Sequence, residues 1–284
     1  MTAPLEETPR PATGRQFMTC FSTMGCTDLD LPGVLTLSGQ YGVDCLELRS
    51  LENRIDLPAY FAAQPGGIAA ARDLLAAHKS SVRVFGTSFK LVGDNEAGRQ
   101  TLLDFARLAE QFGTPYLRIF GGGTWGTPLT DENYRQAVEF LNWWQAERTK
   151  NGWTVEVLIE THDAFSASAP LLRLFEILGR PHDIIWDSHH TWKLGGETPA
   201  ESWSKLQSVT RHVHIKDSVS IPSARHPYTY VLPGTGEMPT GEVLALLRRD
   251  AFGGAVSLEW EKMWHPYLPD LSAALAAARK LGWW

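Results

Sequence analysis

Carboxylates and imidazoles recur in this chain at a spacing that turns them to one side of a strand. In "RHVHIKD" (211–217), His212, His214 and Lys216 share one parity, and Val213 and Ile215 share the other. Successive strand side chains point to opposite faces, so the polar set faces one way and the aliphatic pair the other. In "VEVLIETHD" (155–163), outward Val155, Val157 and Ile159 turn Glu160 and His162 inward. In "DIIWDSHH" (183–190), outward Ile184 and Trp186 leave Asp187 and His189 inward, with His190 able to enter where the strand runs out. In "AVSLEWE" (255–261), outward Val256, Leu258 and Trp260 leave Glu259 and Glu261 facing in. Three carboxylates brought together in an interior of low dielectric repel one another strongly. A divalent cation removes that cost and takes the imidazole as a nitrogen ligand. Three oxygens and one nitrogen without a thiolate suit a hard or borderline ion: Mn2+ is expected first, with Mg2+, Co2+ or Zn2+ as alternatives.

Such convergence needs a scaffold that brings strand ends together. Short β-rich runs alternate with amphipathic helical runs through the whole sequence. The strands are read at "FMTCFSTMG", "VDCLELR", "SVRVFGTSF", "PYLRIFGGG", "TVEVLIETHD", "DIIWDSHH", "RHVHIKD" and "AVSLEWE". Helices are read between them, among them "EAGRQTLLDFARLAEQFG", stopped by Gly113. Strand–helix units in strict succession predict an α/β fold, a single (β/α)8 TIM barrel, whose active site lies at the C-terminal ends of the strands. An open doubly wound sheet would need a Gly-rich phosphate loop after the first strand, and "STMGCTD" has none. The cluster "FGGGTWG" lacks the Walker lysine and reads as a tight turn over the barrel mouth.

Composition narrows the function. With 284 residues, 43% of them hydrophobic, the chain can bury one large core. Residues 1–16 are rich in Pro, Thr and charge and read as a flexible tail, leaving 17–284 as the barrel. No apolar run is long enough to span a bilayer, and the start has no apolar core of a signal peptide, so a cytoplasmic protein is expected. A net charge of -6 without a basic block argues against a broad nucleic-acid surface. Cys20, Cys26 and Cys45 form no CxxC pair and read as small buried hydrophobes.

The motifs "STMGCTD", "YGVDCLELR", "LIETHD", "WDSHH", "HVHIKD", "LPGTGEMP" and "VSLEWE" resemble those of the xylose-isomerase-like TIM barrels, the sugar phosphate isomerase/epimerase superfamily, from about Phe17 to the C-terminus. That superfamily includes ketose 3-epimerases and inosose isomerases and dehydratases. The resemblance implies Glu160, Asp187, His214 and Glu259 as the metal ligands, chooses Glu259 over Glu261, and makes His190 a substrate contact. Lys216 sits at the motif's frequent lysine position, and Glu237 lies in a loop that the family carries near the mouth. Ser218 to Ser220 occupy the region where the epimerases have a basic residue.

Around this centre, His212 lies one step deeper than His214 and reads as support. Arg49 is read either as holding a substrate oxygen or as a buried ion pair with Glu47. His162, Asp163, Trp125 on the fourth loop and His265 in "KMWHP" are rim candidates for substrate contact. The chemistry this implies is proton transfer beside the carbonyl of a sugar, keto-sugar or polyol through a metal-bound enediolate. Glu160 and Glu259 exchange the proton, giving an isomerase or epimerase. Expulsion of a β-leaving group, with His190 or Lys216 as acid, gives a lyase or dehydratase instead. An endonuclease IV-type phosphodiesterase would need further histidines at the first four strand ends. A non-catalytic sugar-binding barrel would have no need of four intact ligands. The expected partner is a small molecule, with no nucleic acid or membrane, and a homo-oligomer is compatible with the terminal "LGWW".

Overall fold

The computed structural model describes residues 17–283. The inferred tail at 1–16 and Trp284 lie outside the described residues. The chain runs β1 (Met18–Ser22), α1 (Leu31–Tyr41), β2 (Cys45–Leu48), α2 (Leu57–Ala63), α3 (Gly67–Ala77), β3 (Val82–Val92), α4 (Glu96–Phe112), β4 (Tyr116–Gly122), α5 (Asp131–Asn151) and β5 (Glu156–Glu160). It continues with α6 (Ser168–Leu178), β6 (Ile184–Asp187), α7 (Ser188–Lys193), α8 (Pro199–Leu206), β7 (Thr210–Ile215), β8 (Asp217–Val219), β9 (Thr229–Val231), α9 (Thr240–Arg249), β10 (Ala255–Leu258) and α10 (Leu271–Lys280).

Strands β1 to β7 and β10 pair in parallel around a closed barrel, sealed where β1 meets β10 with Met18 opposite Ala255. This is the (β/α)8 barrel expected from the alternation. The alternation also sorts the core. Val157, Ile159, Ile184, Trp186, Val213, Ile215, Val256 and Leu258 pack in the large layer under the helices. The opposite parity fills the barrel's interior with Val84, Leu158 and Ile185 on one side and Cys20, Cys45 and Ala255 on the other. All three cysteines are buried and free.

Three features depart from one helix per strand. The helix α2 precedes α3, and the short α7 starts at the residue after β6. Beyond β7 the chain makes an antiparallel hairpin, β8 with β9, outside the barrel. Its loop returns over the mouth and is fastened by one side chain. Asp217 Oδ1 accepts from the Ser218 and Met238 amides at 2.9 and 3.1 Å. Asp217 Oδ2 accepts from Gly234 and Gly236, both at 2.9 Å. Trp283 is buried in the main core, and its carbonyl accepts from Arg248 at 3.1 Å. The Gly cluster after β4 is a tight turn: Gly122 and Gly123 have φ of 78° and 74°, and a Cβ on Gly122 would collide with the Val92 backbone.

Candidate metal centre and substrate cavity

The polar parity of β5, β6, β7 and β10 meets at the top of the barrel. One potential ligand atom from each of Glu160, Asp187, His214 and Glu259 lies within 4.8 Å of the others, and all four residues are buried. His214 Nδ1 points into the group, 3.3 Å from Glu259 Oε2, 3.5 Å from Glu160 Oε1 and 3.7 Å from Asp187 Oδ2. Its other nitrogen is taken: Nε2 lies 2.9 Å from Glu47 Oε2, which also meets His212 Nε2 at 2.9 Å. Glu47 therefore orients the His214 ring and turns Nδ1 toward the carboxylates. Burial works against the charged forms of Glu47, His214 and Glu259. The surrounding opposite charges prevail, holding the Glu47 and Glu259 carboxyls well below their usual range and the His214 imidazole well above its own. His212 lies one step down and is held neutral, chiefly by burial.

Three atoms of this cluster, Glu160 Oε2, Asp187 Oδ2 and His214 Nδ1, are buried without a hydrogen bond. Buried polar atoms without such a bond are costly, and here they converge, with Asp187 Oδ2 met by the ammonium of Lys216. A divalent cation fits: three carboxylate oxygens and an imidazole nitrogen are the donors that hard and borderline ions take. In the protein alone, Lys216 partly fills that electrostatic role. Its ammonium, 1% exposed, lies 2.7 Å from Asp187 Oδ2 and 2.9 Å from Glu261 Oε1 and also contacts Glu259. Burial and the nearby Glu259 push the Glu261 carboxyl upward. Alternation left Glu259 and Glu261 equivalent. Position separates them, for Glu259 lies inside the cluster and Glu261 on the far side of Lys216. Lys216 does not hold Asp217, whose oxygens are committed to the loop.

A cavity of about 410 Å3 opens above the cluster. It is lined by Glu160, His162, Asp163, His190, Glu259, Glu261 and His265, and also by Arg49, Arg118, Lys90, Tyr230 and Trp264. His190 sits on α7, which Asp187 caps through Oδ1 and the His190 amide at 2.8 Å. His190 Nδ1 lies 3.1 Å from the Thr161 carbonyl, which can only accept, so Nδ1 carries the proton and Nε2 keeps a lone pair. Burial above all, then nearby Lys216 and His162, lowers the His190 pKa far below the usual value, so the ring is neutral. His162 Nδ1 pairs with Asp163 Oδ1 at 3.0 Å. His265 packs on Tyr230 with ring centroids 5.0 Å apart, and burial with the nearby Arg225 lowers its pKa to about 4.

Several sequence expectations need correction. Arg49 and Glu47 do not form an ion pair: Glu47 is held by the two histidines, and Arg49 donates to the Gly86 carbonyl and Ser88 Oγ at 3.3 and 2.8 Å. His189 lies near Asp187 but is not one of the four clustered residues from β5 to β10. Strand parity ends at Asp187, and on α7 the His189 ring turns to Ser218 Oγ at 2.7 Å, against Tyr228 and Tyr230. Trp125 is 48% exposed, donates its indole N–H to the Leu194 carbonyl at 3.1 Å, and does not line the cavity. Trp264, with Phe120 and Tyr230, supplies aromatic lining to the cavity instead. Glu237 also stays outside the cavity, bound to Lys193 at 3.1 Å and to Ser220. The cavity residues that sequence reading missed include Arg118, Phe120 and Tyr230. The signal for Arg118 was present: with Leu117 and Ile119 outward, parity turns it in.

The xylose isomerase-like TIM barrel family matches over residues 35–283, and the chain belongs to it. Among curated proteins no match is found. Among solved structures, the probable 3-DHS dehydratase AsbF from Bacillus anthracis superposes with a TM-score of 0.77 at 17% identity, covering 93% of this chain and 98% of that one. The IOLI protein with a binding zinc atom gives 0.72 at 17% identity, covering 93% and 96%. D-psicose 3-epimerase from Clostridium cellulolyticum H10, solved with D-tagatose, gives 0.69 at 12% identity, covering 94% and 98%. These likenesses show the shared fold. No helix among the described residues is long and apolar enough to cross a membrane.

Proposed function

We propose that this member of the xylose isomerase-like TIM barrels is a divalent-metal-dependent isomerase or epimerase. Its substrate would be a sugar, keto-sugar or polyol, and the reaction a proton transfer beside a carbonyl. The carrying observation is the buried Glu160, Asp187, His214 and Glu259 cluster with three orphaned polar atoms under an open cavity. These residues would hold the ion, with Mn2+ favoured by the oxygen-rich set. The zinc atom bound to the IOLI protein supports a divalent ion in this fold. When bound, the ion supplies Lewis-acid polarisation of the carbonyl.

The chain's own groups then divide the proton work. Glu160 Oε2 makes no hydrogen bond and is placed to take the α-proton. Glu259 is kept ionised by His214 and Lys216 until a proton reaches it, and it can return one from another direction. The neutral His190 offers Nε2 as acceptor for a substrate hydroxyl. Return of the proton to the opposite face gives the epimer, and return to the neighbouring carbon gives the isomer.

A second reading is elimination, for which Lys216 is the specific observation. It is a buried ammonium, held protonated by Asp187 and Glu259 against its own burial, beside the residues that would move protons. Lys216 does not line the cavity, so its proton would reach a departing hydroxyl through Glu261, which it meets at 2.9 Å and which does line it; AsbF is a probable dehydratase on this fold. The protein is expected to act in the cytoplasm on a small molecule, without nucleic acid. The test is solvent-deuterium incorporation into a panel of keto-sugars, inososes and aldoses with Mn2+-loaded protein, with products identified by NMR. Exchange without dehydration supports the first reading, and loss of water to an enol that settles as a deoxy dicarbonyl supports the second. No exchange and no product with any loaded ion would overturn both.

A further inference from the structure

The cavity has a second wall that the proton chemistry leaves unused. It is built by β2, β3 and β4, and its groups are cationic. Arg118 on β4 is 1% exposed, and its Nε and Nη1 make no hydrogen bond. Among the described residues its one ionic neighbour is Glu160, 3.5 Å from Nε. The guanidinium carbon lies 3.9 Å from the Phe120 ring centroid, and this stacking holds its plane. Arg49 follows β2, is 3% exposed, and donates only to neutral oxygens, those of Gly86 and Ser88. Among the described residues no carboxylate lies within ion-pair distance of Arg49, Lys90 or Arg225, all of which line the same cavity.

Gly86 explains how two guanidinium groups come together. It lies on β3, between the strands that carry them. A Cβ there would stand 3.0 Å from Arg49 Cδ and 3.2 Å from Arg118 Nη2, so the absent side chain gives both arginines their room. The crowding is felt electrostatically: burial first, then Arg118, lowers the Arg49 pKa to about 9. Two buried like charges with spare donors are an unfavourable arrangement for a fold by itself. An oxyanion between them removes the repulsion and takes the spare N–H groups, as arginine forks do with carboxylate and phosphate.

We infer that Arg49 and Arg118 form an oxyanion subsite beside the Glu160–Glu259 cluster, so that the substrate carries a carboxylate or phosphate. This deepens the proposed function and rests on its reading of the cavity as the substrate site.

The test is calorimetric titration of the EDTA-treated full chain with D-glucitol, D-gluconate and D-glucitol 6-phosphate, which removes any contribution of a metal–carboxylate contact. At least one charged probe should bind about tenfold or more tightly than glucitol, as charge-assisted pairing predicts. Whether gluconate or the phosphate gains more identifies the oxyanion. Arg49→Gln and, separately, Arg118→Met should erase that advantage, lowering the affinity for the charged probe far more than that for glucitol. Circular dichroism melts establish that each variant is folded, and the unmodified protein decides the matter if Arg118→Met is not. Equal affinity for the three probes, no binding of either charged probe, or a preference that survives the folded variants would overturn the subsite. Anion preference without deuterium exchange would leave the subsite standing and overturn the proton-transfer reading. Exchange on neutral sugars without anion preference would do the reverse.

Discussion

The cavity's two walls come from different halves of the barrel and carry opposite charge. Strands β5, β6, β7 and β10 contribute Glu160, Asp187, His214 and Glu259, linked by short contacts to one another and to Lys216. Strands β2, β3 and β4 contribute Arg49, Ser88, Lys90 and Arg118, which have few partners in the protein. The first wall is densely charge-paired and its atoms without a hydrogen bond converge on one point, whereas the second has unspent donors facing the cavity. The contrast teaches a division of labour: a crowded polar cluster suits chemistry on one part of a ligand, and an under-satisfied cationic wall suits holding another part.

Four substitutions break or sharpen that contrast. The largest effect is expected on the carboxylate wall. Glu160→Gln should lower solvent-deuterium exchange by about 10^3-fold or more and reduce bound metal, measured by NMR and elemental analysis. Exchange that survives intact would remove Glu160 from the proton chemistry. Next is Lys216→Met, which leaves Asp187 and Glu259 without their ammonium. The metal-free protein should lose about 3–5 kcal/mol in urea unfolding, with much of it restored by saturating Mn2+. An equal loss with and without the ion would show that lysine and metal do not share one electrostatic role.

Glu47→Gln tests the link between the walls, because this β2 residue serves the opposite side through His214. Metal affinity should fall about 10–100-fold, read by competition with a chelating dye, while anion binding to the metal-free protein stays unchanged. Unchanged metal affinity would reduce Glu47 to a packing residue. The smallest effect is expected from Arg49→Gln. On an anionic substrate it should raise KM about tenfold with kcat nearly constant. An equal change on a neutral substrate would show that Arg49 does not read charge.

The two walls were also unequally legible. Strand parity alone placed Glu160, His214 and Glu259 inward, because each follows a run of outward aliphatic residues that fixes the register. Parity failed for His189, since Asp187 caps a helix immediately after β6 and the period changes from two residues to 3.6. On the cationic wall, the β3–β4 pairing shifts register between Gly86 and Lys90, so no alternation carries through to Ser88 and Lys90. Arg118 was readable and was passed over inside an apolar strand. Trp125, Glu237, Tyr230 and Trp264 lie in or beyond loops, whose paths depend on tertiary contacts with no local period. The barrel itself was legible because eight repeats of one pattern support each other. The hairpin of β8 and β9 and the helices α2 and α7 are single departures from that pattern and had no such support.

The fastening of the seventh loop bears on how this protein can change. Asp217 takes four amides from the loop, and a side chain at Gly236 would overlap the Asp217 carboxyl. The point of return is therefore intolerant of substitution. Between the two anchored ends, the exposed stretch around Ile221 and Arg225 is free of that constraint, and Arg225 reaches the cavity. Insertions or replacements there would alter what the mouth admits without moving Lys216, the neighbour of Asp217 in sequence. The barrel thus keeps its reactive end under tight inheritance and leaves the other open to selection for new ligands.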